Sequence, residues 1–132
     1  MGVVLAQDPD RILGTYETEY AGTTAKVEIT KDGDIYSARV VWLKDSLGPD
    51  GRPLLDEKNP DKSLRDKPLD SVTILRGLRY DTKKDRWSGG KVYDPSRGIV
   101  ANAVLTFDNP PTLRVKGTLL AISESVYWKK IE

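Results

Sequence analysis

The side chains available for acid–base chemistry in this chain are carboxylates, lysines, tyrosines and serines. Its 132 residues include no His and no Cys. That removes thiol nucleophiles, disulfides, imidazole bases and the usual zinc and haem ligands. Asp94 set against Asp56 or Asp70 is the pairing nearest to two-carboxylate glycoside chemistry. A turn-capping role explains Asp94 better, because Pro95-Ser96-Arg97-Gly98 follows it. A Ser–Lys arrangement is the remaining nucleophilic option. No Asp-x-Asp loop has the ligand density of a calcium site. The chain is therefore expected to be no enzyme, with no catalytic residue, no metal and no cofactor.

Binding chemistry is better represented. Trp42, Trp87, Tyr93 and Trp128 carry rings that each bury roughly 150–250 Å². They either stack on a ligand or fill a core. The stretch from Trp87 to Gly98 reads as a strand, a tight turn and the start of a returning strand, with Trp87 and Tyr93 on the same face. Gly89 and Gly90 beside them would let another group approach closely. Asn59, Asp61, Arg65 and Asp66 form a polar constellation. It reads as an anion or polar-ligand site with Arg65 as its cation, or as a loop fixed by a helical cap and an Arg–carboxylate pair. The ligand-binding candidates are Trp42, Trp87, Gly89, Gly90, Tyr93, Asn59 and Arg65.

Nearly every element that must position these residues reads as strand. Ile12–Thr18 is a first strand, and Ala25–Thr30 alternates cleanly with Val27 and Ile29 on one face. Asp32-Gly33 signals a hairpin before the β-branched run Ile35–Leu43. The stretch Asp45–Asp70 changes character. Gly48-Pro49-Asp50-Gly51 is a turn cluster. Asn59-Pro60 opens one short helical turn, Asn as its cap and Pro at its first position, and Pro68 stops it. Strands resume at Ser71–Tyr80, Trp87–Tyr93 and Ile99–Phe107. The turn between the last two is built by Asp94, Pro95 and Gly98. Leu113–Gly117 and Ser125–Ile131 complete the set. About eight short strands with frequent turns and no long helix imply a closed antiparallel barrel or a sandwich. A closed barrel leaves no exposed edge, which suits a monomer.

Composition narrows the function classes. The chain is 38% hydrophobic and 31% charged, with a net charge of +1. Its Lys and Arg alternate with Asp and Glu, so it lacks the concentrated basic face that nucleic-acid binding requires. No run is long and apolar enough for a transmembrane helix. Residues 1–10 read as a flexible terminus. Its apolar start, ending in Val4-x-Ala6, reads equally as the remnant of a signal peptide. Residues 11–132 are expected to form one domain, since roughly 100–150 residues is the commonest domain size.

The chain resembles a bacterial family of domains of unknown function, mostly exported, with a calycin-like (lipocalin-like) β-barrel. The matching residues are Gly14-Thr15-Tyr16, Ile35-Tyr36 through Val41-Trp42-Leu43, and Asp56-x-x-Asn59-Pro60-Asp61-x-x-Leu64-Arg65. They continue with Ile74-Leu75-x-Gly77, Trp87-x-Gly89-Gly90-x-Val92-Tyr93-Asp94-Pro95-x-x-Gly98, Leu113-x-Val115-x-Gly117 and Trp128. Tyr16 stands where the family has Trp. Ala38 and Ser71 replace Gly, Ala101-Asn102 replaces an aromatic–Ser pair, and Lys130 replaces Arg. The loss of an aromatic at Ala101 implies a roomier or more polar interior face on that strand. The resemblance implies an up-and-down barrel of about eight strands. It also implies the lipocalin arrangement in which an aromatic on the first strand, Tyr16, lies under a cation from the last, Lys130, and closes one end.

These readings converge on a small-molecule-binding barrel of the bacterial cell envelope, periplasmic or secreted with the cytoplasm left open, taking an apolar or amphipathic ligand. The alternative is a structural or protein-interaction module that uses the Asp45–Asp70 loop. The protein is expected as a monomer or weak dimer, with no nucleic-acid partner.

Overall fold

The computed structural model describes residues 8–20 and 22–132, the side chain of Tyr20 apart. The apolar start read as a leader remnant, residues 1–7, lies outside them. The strands are β1 (Gly14–Tyr20), β2 (Thr23–Asp32), β3 (Ile35–Leu43), β4 (Thr73–Asp81), β5 (Arg86–Asp94), β6 (Ile99–Asn109), β7 (Thr112–Leu119) and β8 (Ile122–Lys130). They pair antiparallel in chain order and β8 returns to β1, so the sheet is the expected closed barrel. Alternation puts one face of each strand inside. Ala25, Val27 and Ile29 on β2, Tyr36, Ala38 and Val40 on β3, and Leu113 and Val115 on β7 are all buried.

One end of the barrel is closed by the start of the chain. Pro9–Ile12 form a 3-10 helix, with Asp8 accepting from the Asp10 N–H. Pro9 and Asp10, assigned by sequence to the tail, thus belong to the folded unit. Ile12 is fully buried, and its carbonyl accepts from the Tyr16 hydroxyl at 2.7 Å. Arg11 lays its guanidinium over Trp87 at 4.8 Å and Phe107 at 5.6 Å, and pairs with Asp85 at 2.7 Å. Asp10 accepts from the Tyr36 hydroxyl at 2.6 Å and from Lys31 at 2.9 Å.

This corrects the expected partnership at the closed end. Tyr16 packs on Trp128, with ring centroids 6.1 Å apart. Lys130 is its neighbour across the β1–β8 ladder, but the Lys130 ammonium donates to the Arg11 carbonyl at 2.7 Å. The cation over an aromatic comes from Arg11 instead. The helix of Pro9–Ile12 carries it in under the barrel, where a half-buried cation–π contact contributes about 0.5–2 kcal/mol.

The β1–β8 ladder is short. Its register pairs are Tyr16–Lys130 and Glu17–Lys129, both near the closed end. Toward the other end β1 continues to Tyr20 along β2, and β8 reaches back to Ile122 along β7. The ladder therefore ends above Glu17, where the Thr18 hydroxyl still donates to the Tyr127 carbonyl at 3.5 Å.

A bulge also matters. The β5–β6 register shifts between Trp87 and Gly90, at Gly89, whose φ is +81°. A glycine in the left-handed region absorbs the extra residue of such a bulge. Trp87 and Val92 then point inward, while Tyr93 lies on the opposite face. Trp87 and Tyr93 do not share a face, because the bulge resets the alternation between them. Gly90 is small for a local reason: a Cβ there would fall 2.2 Å from the Arg76 carbonyl oxygen on β4.

The β3–β4 connection crosses the end opposite the Pro9–Ile12 helix. It pairs with itself at Leu47–Pro53 and Leu55–Pro68 and includes short 3-10 helices at Lys62–Leu64 and Leu69–Ser71. The helical turn begins later than expected, and its cap is Asp61, which accepts from the Ser63 N–H at 3.0 Å. Asn59 is engaged elsewhere: its carbonyl oxygen accepts from the Asp61 N–H and its amide donates to Asp56.

Candidate functional site

The open end holds a cavity of about 490 Å³. That lies within the roughly 300–1,000 Å³ of small-molecule sites. Its apolar wall is made by inward residues of β5 to β8: Val92, Ala101, Val115, Gly117 and Val126, with Trp128 deepest. Two of these make the room. Ala101 presents one methyl, and a Cβ on Gly117 would come within 3.1 Å of Val92 Cγ1 and 3.4 Å of the Ala101 Cβ. Leu119 and Ile122, from the β7–β8 turn, carry the apolar wall out to the mouth. Ile122 is largely exposed, and Leu120 between them is 87% exposed.

The mouth is charged. Asp94 and Glu124 line it, in phase with Val92 on β5 and with Val126 and Trp128 on β8. Arg97, from the β5–β6 turn, joins them. Its Nε is 2.6 Å from Asp94 Oδ2, and its two terminal nitrogens reach Glu124 at 3.2 and 2.7 Å. Asp94 Oδ1 accepts from the Ser96 N–H and hydroxyl, and Gly98, with φ +66°, donates back to the Asp94 carbonyl. Burial pushes the Asp94 carboxyl up, but the Ser96 and Arg97 hydrogen bonds outweigh it and hold the group below its ordinary value. The Arg97 hydrogen bond likewise holds Glu124 low. Thr18 and Glu19 of β1 form the opposite lip, where the β1–β8 ladder has ended.

The long loop is tied to this mouth from outside. Tyr93, facing away from Val92, donates to Asp56 Oδ1 at 2.6 Å, and Asn59 donates to Asp56 Oδ2 at 2.8 Å. Asp56 is buried. Arg65 Nε donates to the Asn59 carbonyl at 2.7 Å, and Lys58 to the Ser96 carbonyl at 2.8 Å. Gly98 lies so close to Lys58 that a Cβ would meet its carbonyl oxygen at 2.3 Å. Desolvation first, and then the hydrogen bond to Asp56, raise the Tyr93 hydroxyl above its ordinary value.

The sequence-derived residues thus separate. Tyr93 borders the cavity, and Trp128 lines it. Asn59 and Arg65 belong to the loop lock, Gly89 and Gly90 to the bulge, and Trp87 to the closed end. Trp42 sits outside the barrel, exposed, with the Lys26 ammonium 5.2 Å above its ring. Asn102, beside Ala101, faces outward and accepts from Lys91. Sequence reasoning missed Arg97 and Glu124. The one signal for Glu124 was its even spacing from Val126 and Trp128.

Comparison with known proteins follows the fold. A solved structure, protein HP1028 from the human pathogen Helicobacter pylori, described as belonging to the lipocalin family, superposes with a TM-score of 0.74. It is 20% identical over 92% of this chain and 83% of that one, a likeness of fold. A search of curated proteins finds no match. The model of a family described as an uncharacterized protein conserved in bacteria, DUF2147, matches residues 14–130. With nearly the whole barrel covered by that match, the chain belongs to the DUF2147 family.

Proposed function

We propose that this protein is a binding barrel that takes a small apolar or amphipathic molecule into the cavity between β5 and β8. One observation carries the reading. A wall of small and branched apolar residues, floored by Trp128, opens at a polar mouth. Apolar surface gains by leaving water, and a few placed polar groups at the rim fix orientation. The reading is of binding rather than catalysis, because Asp94 and Glu124 are both engaged by Arg97. Action in the bacterial cell envelope is part of the proposal; the match to a family conserved in bacteria supports the bacterial setting.

Native mass spectrometry and calorimetry with 1-decanol test it. The wild-type protein should bind one molecule, and Ala101→Phe, which puts a ring into the space, should lose binding while keeping the barrel's circular dichroism. Equal binding by both proteins would place the ligand elsewhere and sink the proposal.

A second reading has its own observation. Leu47, Leu54 and Leu55 stand exposed on the well-tied β3–β4 loop, an apolar surface suited to a protein partner. Replacing the three with Ser should abolish capture of such a partner and leave decanol binding unchanged.

A further inference from the structure

We propose that the cavity selects an amphiphile with a cationic head, of the alkylammonium class, and discriminates against alkyl carboxylates. This deepens the reading of the cavity as a ligand site and rests on it.

The wall and the mouth differ in chemistry. The deep part is apolar, so it takes a tail. The described charged residues that line the cavity are Glu19, Asp94, Glu124 and Arg97. Glu19 is out of phase with the inward Tyr16 and Thr18, so the two carboxylates in phase with the wall, Asp94 and Glu124, leave a net charge of −1 against the Arg97 guanidinium where a head group would rest. Lys58 reaches the same turn but does not line the cavity, since its ammonium is on the Ser96 carbonyl.

Arg97 is the group an anionic head would need. It is held by Asp94 on one side and by both oxygens of Glu124 on the other. A carboxylate head could recruit Arg97 only by drawing it from these partners. Asp94 and Glu124 would then face the new anion without a counter-charge, and like charges brought together oppose binding. A cationic head requires no such exchange. Each carboxylate has about four acceptor positions, so Glu124, which accepts from Arg97 at two of them, can accept from an ammonium while Arg97 stays in place.

The test is calorimetric titration of the full chain with decylammonium, 1-decanol and decanoate at pH 7 and low salt. An alkylammonium keeps its proton there, as lysine does. Decylammonium should bind about tenfold or more tighter than decanoate, with decanol between them. Added salt should narrow the gap, since the rim is exposed. Glu124→Gln should narrow it at low salt, and Glu124→Lys should favour decanoate. If decanol binds but decanoate binds as well as decylammonium, the head-group proposal is wrong and the cavity stands. A gap that Glu124→Gln leaves unchanged would also overturn it. If none of the three ligands binds, the cavity reading fails and takes this proposal with it.

Discussion

The Tyr93 hydroxyl donates to Asp56 Oδ1 at 2.6 Å, and Asn59 donates to the other oxygen at 2.8 Å. This joins the outer face of β5 to a loop that starts two strands away. The Asp56 carboxylate is 1% exposed, so its satisfaction depends on those two donors.

Tyr93→Phe removes one donor and keeps the ring. A buried acceptor left without a partner costs about 1–3 kcal/mol. Urea unfolding should show a loss of that size, and limited proteolysis should become faster within residues 45–70. Unchanged stability and cleavage would mean that the loop is held by other contacts.

Acid should weaken the barrel from both ends. Tyr36 and Lys31 hold Asp10 low, Tyr80 and Arg11 hold Asp85 low, and Arg97 holds Glu124 low. Asp94 is also depressed in balance. Their ordinary values are 3.8 for Asp and 4.5 for Glu. Above those values the unfolded and folded carboxyls are both ionised and the stabilisation is fully present. As pH falls through them the unfolded chain takes up protons first, and stability is lost down through the folded pKa. The urea midpoint should be flat near neutrality and drop steeply below about pH 4.5. Asp85→Asn should make that drop shallower.

The three tryptophans report from separate places. Trp128 floors the cavity, Trp87 lies at the closed end and Trp42 is outside. Decanol should shift or quench the emission of a Trp42→Phe/Trp87→Phe protein and leave that of Trp128→Phe unchanged. A response retained in Trp128→Phe would contradict the assigned cavity.

The β7–β8 turn is conformationally costly. Leu120 and Ala121 have φ of +52° and +68°. Hairpin turns with two positive φ angles favour Asn-Gly, and side-chain-bearing residues in the left-handed region cost about 1–2 kcal/mol each. The double change Leu120→Asn/Ala121→Gly should raise stability by about 1–2 kcal/mol. A fall in the urea midpoint would show that the apolar turn packs against something in solution.

The strands were legible because period-2 alternation and glycine turns are local signals. Ile35–Leu43 has the same bounds in sequence and structure, and the β2–β3 turn falls within the expected Lys31–Asp34, its loop residues being Gly33 and Asp34. The site was much less legible. Gly89-Gly90 signalled an irregularity, but a single bulge reverses every side chain beyond it, and composition does not say which residue is extra. Asn59 and Asp61 are both good caps in isolation. The choice between them is made by Asp56, whose burial under the loop is a long-range fact. Arg97 and Glu124 meet only because the ring of strands closes, bringing the β5–β6 turn across to β8.

The end of the β1–β8 ladder above Glu17 has a mechanical meaning. A tube joined along its whole length has a fixed girth. This one is joined at its foot and slit toward its rim, in the manner of a split collar, with Thr18 and Glu19 on one lip and Val126 on the other. Spreading the slit would break no ladder pair and would cost only the 3.5 Å hydrogen bond from the Thr18 hydroxyl to the Tyr127 carbonyl among the described residues. The girth of the guest is then set by the spring of the wall, and its length by the distance down to Trp128.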